Sequence, residues 1–471
     1  MPTTQSRPLA APSSPLFARK GGFRILLWNV DGLERLCNTP QFQGEDLTSV
    51  LEAANADIVC LQETKMRKRD AKKRDVPLPA QFLTANGYGV VASTAAYPNP
   101  KAPLEGLWGV TVCFRTSSVI PQKAETGLAL GKRNSSLDQN ERIGHHPDLS
   151  VLGISTAQLN TLEGEGRIIV LDCRLFVLLC AYMPNLTKAE SGGRRDPIKL
   201  AKDMRALVQT RIELLKKAGR EVLVVGDFNV PPRSQDTHLR RVEKCKEPAQ
   251  EWYAELVSPT GCNLIDLHKH LASGTTPEYT YFSSPQNRSR NLGTRIDLMF
   301  VTAGLLPWIK RAGVDRTMSG SDHLPVYVEL AESISDPVQG GVELWKVLNP
   351  ERDSPEQLVR LPQLARELAA SLRPKKAFFQ PGASKAGSPS SSASATGTAP
   401  TGGSPGPSRQ SFAGSDPRPK KSQKEEGPPP KRPVRQAATE VIDLCELESE
   451  SDADVSYKPS PAKKQKRSAG S

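Results

Sequence analysis

Glu221–Val230 reads EVLVVGDFNV. Four apolar residues in a row, Val222, Leu223, Val224 and Val225, bounded by charge and glycine, predict a short strand buried on both faces. The run stops at Gly226 and delivers Asp227, Phe228 and Asn229. Side chains two apart on an extended chain point the same way, so Asp227 and Asn229 are expected to share one face at the strand's carboxyl end. A carboxylate beside an amide at a strand mouth suits the activation of water, although GDxN also occurs in ordinary turns. The stretch gains meaning only if other strands end nearby with matching chemistry.

The chain has 471 residues and a formal net charge of +12. Apolar runs alternate with polar loops up to about Leu330. Beyond about Glu332 the chain turns to Ser, Pro, Gly, Lys and Ala. These features predict a leader over 1–21, one globular domain over 22–332, and a disordered tail over 333–471. A domain of roughly three hundred residues buries a core without covalent staples. The basic balance favours acidic partners, nucleic acid before anionic membrane. Eight cysteines are scattered singly with no CxxC pair, which argues against a zinc site and for a reducing compartment. No run is long and apolar enough to span a bilayer. Arg7, Arg19 and Lys20, with no acid before Asp31, fit either an organelle transit peptide or a disordered leader, and the leader is the expectation.

Working outward, Arg24–Val30 (RILLWNV) is a strand ending in Asn29-Val30-Asp31-Gly32, with the same two-residue spacing of polar groups. Residues 45–56 predict a helix, and Asp57–Glu63 (DIVCLQE) a strand closed by a carboxylate and followed by Thr64-Lys65. Strand, helix, strand makes a crossover that sets the two strand ends side by side. Residues 66–75 are a mixed-charge run, open to a solvated or a DNA-facing reading. Gly109–Phe114 and Arg167–Leu171 are further strands. Residues 120–160 between them read as a polar stretch, with His145-His146 expected in solvent. Arg174–Tyr182 (RLFVLLCAY) is a strand ending in Tyr182-Met183-Pro184-Asn185. Asp196-Pro197 starts a helix that Gly219 closes and that leads back to EVLVVGDFNV. Further on lie a short helix at Glu251–Leu256, a strand at Arg295–Val301 carrying Asp297, and Asp322-His323 before Val326–Leu330.

The segments LLWNVDGL, DIVCLQETK, EGRIIVLD with FVLLCAYMPN, VLVVGDFNV, LGTRIDLMFV and GSDHLPV, in that order, resemble the exonuclease–endonuclease–phosphatase superfamily. Within it the chain is similar to the exonuclease III-like apurinic/apyrimidinic endonucleases. The tyrosine of AYMPN supports that branch, because the phosphatase, sphingomyelinase and DNase branches carry histidine there. The resemblance implies an α/β, four-layer αββα sandwich of two mainly antiparallel sheets flanked by helices.

It also implies a division of labour. Glu63 would ligate Mg²⁺ (Mn²⁺ as the alternative), with Asp31 and Asp322 in support, directly or through water. Asp227 would position and deprotonate the attacking water, and Asn229 would hold that water or the pentavalent phosphate. Asp297 would pair with His323 and favour an imidazolium that donates to the phosphate. Asn29 and Tyr182 would donate where charge builds up. Asn185, Lys65, Tyr281 and Phe282 are the expected substrate contacts.

Departures bear on the substrate. Thr294 stands where the better-known abasic endonucleases have a tryptophan. Glu34 replaces the basic residue usual after WNVDGL, and Leu107-Trp108 interrupt the usual aromatic–Ser pair. The loop after GDFNV keeps Asp236 but loses a histidine. With the chemistry groups intact and the abasic pocket altered, the chain resembles the second eukaryotic type of abasic endonuclease. That branch implies 3′–5′ exonuclease and 3′-phosphodiesterase activity, weaker abasic incision, and products with 3′-hydroxyl and 5′-phosphate. Double-stranded DNA with abasic sites or 3′ ends would be the partner of a monomer. Competing readings are a superfamily phosphatase, an RNA 3′-exonuclease, and a non-catalytic scaffold.

In the tail, residues 374–381 (PKKAFFQP) resemble a sliding-clamp box in which Leu372 and Lys375 are mismatched. Glu440–Asp454 (EVIDLCELESESDAD) looks like a SUMO-interacting motif, a β-prone run flanked by acids that could add to a partner's sheet edge. Cys445 is the only cysteine beyond residue 330, which excludes a zinc-binding GRF module from this stretch. Lys420-Lys421, Lys431-Arg432 and Lys463-Lys464-Gln465-Lys466-Arg467 fit nuclear import, loose DNA contact or simple solvation. The nucleus is the expected location, with mitochondrion or plastid as the alternative.

Overall fold

A computed structural model describes residues 22–42, 46–66, 85, 87–95, 108–185, 197–238, 248–271, 278–336 and 340–350. The leader, residues 67–75 of the charged run, Leu107, Asp196, the clamp-like and SUMO-like segments and the basic clusters of the tail lie outside the described residues. In chain order the strands are β1 (Phe23–Asn29), β2 (Ile58–Gln62), β3 (Tyr88–Ser93), β4 (Val110–Arg115), β5 (Lys123–Glu125), β6 (Ile168–Asp172) and β7 (Val177–Tyr182). They continue with β8 (Val222–Asp227), β9 (Ile265–Asp266), β10 (Asp297–Val301), β11 (Ile309–Val314), β12 (Val326–Leu330), β13 (Ser333–Asp336) and β14 (Gly340–Glu343).

Twelve of them form two six-stranded sheets, in the orders β11-β12-β1-β2-β4-β3 and β5-β6-β7-β8-β10-β9. Each sheet contains one parallel pair, β1 with β2 and β7 with β8, and is otherwise antiparallel. The expected crossover is the β1–helix–β2 unit, whose helix Leu47–Ala54 starts on Asp46, the side chain accepting from Thr48 N at 2.9 Å.

The opening stretch behaves as its pattern predicts. Leu223 and Val225 point into a core between the sheets with Ile25, Leu27, Cys60, Leu178 and Met299. Val222 and Val224 point outward, beneath Leu207, Val208 and Ile212 of the helix Pro197–Lys217. The helices Leu33–Cys37 and Leu47–Ala54 cover the other sheet through Leu33, Leu36, Val50 and Leu51. The result is the four-layer αββα sandwich. Gly226 is required because a Cβ there would run into the carbonyl of Ala181, its parallel neighbour.

Three expectations need correction. Residues 120–160 are not a uniformly polar stretch: Leu128, Ala129, Ile143, Ile154 and Leu159 are buried, and the capping box of Ser155 and Gln158 opens a helix over Thr156–Glu163. His146 is likewise not a solvated histidine. Its ring meets the buried Glu125 at 3.1 Å, and Arg211 reaches the same carboxylate at 2.7 Å. The fold also continues beyond Glu332, through β13, β14 and a helix Leu344–Leu348. Leu344 and Leu348 are fully buried in the core between the sheets, so that core reaches past the composition break.

Candidate active site

Strand register builds the site. In the parallel pair β1–β2, Asn29 lies opposite Gln62, so Asn29 and Glu63 leave one sheet at the same edge. In the other sheet Tyr182 lies opposite Asp227, and Asp227 opposite Asp297. His323 arrives on the loop into β12, which pairs with β1. Six chemistry-bearing side chains from five strands and one loop thereby meet at one mouth.

Two sets of hydrogen bonds hold them, one joining Tyr182, Glu63, Asn29 and Asp227 and the other pairing Asp297 with His323. Asn29 Nδ2 donates to Asp227 Oδ2 at 2.8 Å and to Glu63 Oε1 at 3.0 Å. The Tyr182 hydroxyl donates to the same Glu63 oxygen at 2.7 Å. His323 Nδ1 is 2.8 Å from Asp297 Oδ2, and its Nε2 is 4.0 Å from Asp227 Oδ2. Asn29, Asp227, Asp297 and His323 are all buried.

The charges follow from these contacts. Burial works against ionised Glu63, but the Lys65 ammonium and the bonds from Lys65, Tyr182 and Asn29 outweigh it and hold the carboxyl below its ordinary range. Burial, reinforced by the neighbouring Asp297 carboxylate, pushes Asp227 up despite the opposing His323. Burial would neutralise His323, yet the charge of Asp297 and its hydrogen bond prevail and hold the imidazole well above its usual value. The mouth therefore offers one firmly ionised carboxylate, one carboxyl moved toward neutrality, and an imidazolium.

The i, i+2 pairs do not share an extended face as expected. Asn229 has φ +56°, its backbone N–H donates to Asp227 Oδ1 at 2.8 Å, and its side chain donates to the Met183 carbonyl at 2.8 Å. Asp31 has φ +46° and its N–H donates to Asn29 Oδ1 at 3.1 Å. Both motifs are thus Asx-type turns in which the first side chain caps the chain two residues on. Asn229 supports Asp227 from below rather than standing beside it.

The donor set fits a hard divalent cation. Asp31 Oδ1 and Glu63 Oε2 already share one positive atom, the Lys65 ammonium, at 2.5 and 2.9 Å. Two carboxylate oxygens around one centre, with solvent on the remaining side, suit the partial dehydration that Mg²⁺ accepts. Asp322 is exposed, and its Oδ1 lies 3.2 Å from the Ser321 hydroxyl oxygen. Among the described residues, the acidic and histidine trio with ligand atoms all within 4.8 Å of one another is Asp227, Asp297 and His323, not Glu63, Asp31 and Asp322. A protonated His323 has no lone pair for a metal and serves better as a donor.

The expected substrate contacts separate. Lys65 stands in the mouth between Asp31 and Glu63. Tyr281 lies beside His323, ring centroids 4.9 Å apart, and Asn185 is half-buried just beyond β7. Phe282 is 1 % exposed and packs with Tyr279 and Leu324, which makes it core and not a pocket wall. Thr294 pairs its backbone with Tyr281 and its hydroxyl with Thr237.

Several supporting residues escape a reading by motif. The Ser321 hydroxyl donates to the Asn29 carbonyl at 2.7 Å and receives the His323 N–H at 3.1 Å. Buried Arg295 joins Asp236 at 2.9 Å and Asp266 at 2.9 Å, anchoring the loop after β8 to the strand that carries Asp297. The serine stands in GSDHLPV and the arginine in LGTRIDLMFV, but only the fold reveals their partners.

Fold and site together define the class: a two-sheet αββα sandwich with one acidic mouth where the parallel strand pairs of both sheets end. The chain belongs to the endonuclease/exonuclease/phosphatase family, whose model matches residues 26–323. Among curated relatives, the DNA-(apurinic or apyrimidinic site) endonuclease 2 of Schizosaccharomyces pombe is 29% identical over 326 residues, spanning 66% of this chain and 58% of the relative. The human protein of the same name is 26% identical over 337 residues, spanning 66% of this chain and 60% of its own length. The match thus spans less than two thirds of these relatives. The crystal structure of the Xenopus laevis APE2 catalytic domain shares the fold, with a TM-score of 0.54, 23% identity, and coverage of 65% of this chain and 91% of that one.

Proposed function

We propose that the protein is a divalent-metal-dependent DNA repair nuclease. It hydrolyses phosphodiester bonds at 3′ ends, as a 3′–5′ exonuclease and 3′-phosphodiesterase, and incises abasic sites more weakly, leaving 3′-hydroxyl and 5′-phosphate. The observation that carries this reading is the single hydrogen-bonded set from Tyr182 through Glu63 and Asn29 to Asp227, facing the Asp297–His323 couple.

Mg²⁺, with Mn²⁺ as the alternative, would be held by Glu63 and Asp31 and would neutralise charge on the phosphate. Asp227, raised toward neutrality, is a better base near neutral pH than an ordinary carboxylate and takes the proton of the attacking water. The Asn229 N–H fixes one oxygen of Asp227 and Asn29 the other, so the base cannot rotate away. His323, held charged by Asp297, donates to the phosphate, and Tyr182 and Asn29 orient Glu63.

The subtype rests on the departures at Thr294 and in the loop after β8, together with the names of the relatives. Location in the nucleus, monomeric state, and contacts to a sliding clamp or to SUMO through the tail belong to the same proposal and rest on sequence alone. The test is digestion of a 3′-recessed duplex with and without Mg²⁺ by wild type, Asp227→Asn and Glu63→Ala. RNA, phosphoinositide and internal abasic substrates run alongside. Equal activity in all three proteins would sink the mechanism, and faster nicking of the internal abasic site would overturn the subtype.

A further inference from the structure

Arg167 is an arginine buried to 2 % exposure whose guanidinium lies between two aromatic rings. Its Cζ is 4.9 Å from the centre of Trp108 and 4.7 Å from that of Tyr182. Glu165 meets its Nε at 2.6 Å and offsets the buried charge. Bonds from its other end to the carbonyls of Tyr182 and Met183 are long, 3.4 and 3.5 Å. Gly166 allows the turn between this ion pair: with φ +71°, its missing Cβ would overlap the Thr94 backbone.

The two rings come from segments tied to different sheets. Trp108 precedes β4, and its carbonyl accepts from Lys65 N at 3.1 Å while Gly109 O accepts from Thr64 N at 3.2 Å. The segment leaving Glu63 is therefore docked on the Trp108 backbone. Tyr182 ends β7 and reaches back to Glu63 with its hydroxyl at 2.7 Å. A planar cation over aromatic faces is held by the ring quadrupoles, more firmly when water is excluded. Lysine has the charge without the plane or the fork.

We propose that Arg167 is a positioning residue: clamped between Trp108 and Tyr182, it fixes the distance between the Glu63 segment and the end of β7. It thereby holds the Tyr182 hydroxyl on Glu63. The inference rests on the nuclease reading only for its kinetic arm.

The test uses the full chain on a 3′-recessed duplex, comparing wild type, Arg167→Lys, Tyr182→Phe and the double variant. Arg167→Lys is expected to lower kcat about 10-fold with KM changed less than about 2-fold, and to add less than about 2-fold in the Tyr182→Phe background. An equal loss in both backgrounds overturns the proposal. Should Arg167→Lys fold poorly, Trp108→Leu, which removes one ring and keeps the charge, must show the same non-additivity. A crystal structure of Arg167→Lys reads the effect without turnover: the Tyr182–Glu63 distance is expected beyond about 3.5 Å, and an unchanged bond overturns the proposal. If wild type leaves the duplex intact, the nuclease reading falls and this structural arm still decides.

Discussion

Asn29 donates its side-chain amide to Asp227 across the junction of the two sheets, at 2.8 Å. The same nitrogen reaches Glu63 at 3.0 Å, so one amide spaces the proposed base from the proposed metal carboxylate. Two carboxylates this close repel unless a donor stands between them. Asn29→Ala is expected to lower kcat on a 3′-recessed duplex by about 10²–10³-fold, the effect of losing one preorganised donor. KM should change little. Steady-state kinetics decide, and a loss confined to KM would show that Asn29 merely binds DNA.

Asp297 is the chief reason His323 stays charged despite burial. In Asp297→Asn the opposing cost of burial remains and only the smaller attractions of Asp227 and Asp322 persist, so the imidazole should titrate far lower. Two-dimensional NMR of the histidine ring nitrogens in the metal-free protein checks this. A neutral His323 at pH 7 in the variant, with kcat down about 10²–10⁴-fold, is the expected pair of results. An unshifted histidine would falsify the assignment of Asp297 as its partner.

Glu163, remote from the mouth, carries a pH signature of its own. Burial raises its carboxyl from 4.5 to about 7, although the N–H groups of Leu128 and Ala129 pull the other way. The folded state therefore binds more protons than the unfolded state between those values, and stability falls as pH rises through that window. The full shift corresponds to about 3 kcal/mol. Urea unfolding from pH 4.5 to pH 7.5 should show a decline that Glu163→Gln flattens. Parallel pH curves for the two proteins would refute it.

Leu344 and Leu348 fill the core between the sheets from a helix beyond the apparent end of the domain. Leu344→Ala should destabilise by about 2–5 kcal/mol, as deletion of a buried leucine side chain does. Chemical denaturation measures it. A cost below about 0.5 kcal/mol would place this helix outside the cooperative unit.

Several core strands and the polar residues that close them were legible because they obey local rules, whereas the two-sheet arrangement was legible only through the family resemblance. Leu223 and Val225 alternate with Val222 and Val224, and polar residues punctuate each run at the mouth. What stayed hidden depends on long-range partners. Arg167 and Arg295 look like surface residues until the fold encloses them with Glu165, Asp236 and Asp266. Asn229 and Asp31 break the two-residue alternation because they take left-handed backbone conformations that hydrophobic patterning does not encode. Phe282 is aromatic and close to the site, yet the patterning cannot tell a pocket wall from a satellite core. The low apolar content after Glu332 conceals two leucines that matter because of where their helix lands.

The register that joins Asn29 at the first strand to His323 at the approach to β12 has a consequence for biosynthesis. A nascent chain that has exposed only β1 and β2 owns Asn29 and Glu63 but lacks the proposed base, the tyrosine and the imidazole. Completion of β7 and β8 adds Tyr182 and Asp227, still without the couple that holds a proton. The mouth closes only when β12 seats against β1, near the end of the matched family region. The proposed nuclease site is thus assembled in an inert order, its last functional group delivered on the loop into the strand that also locks the first one in place.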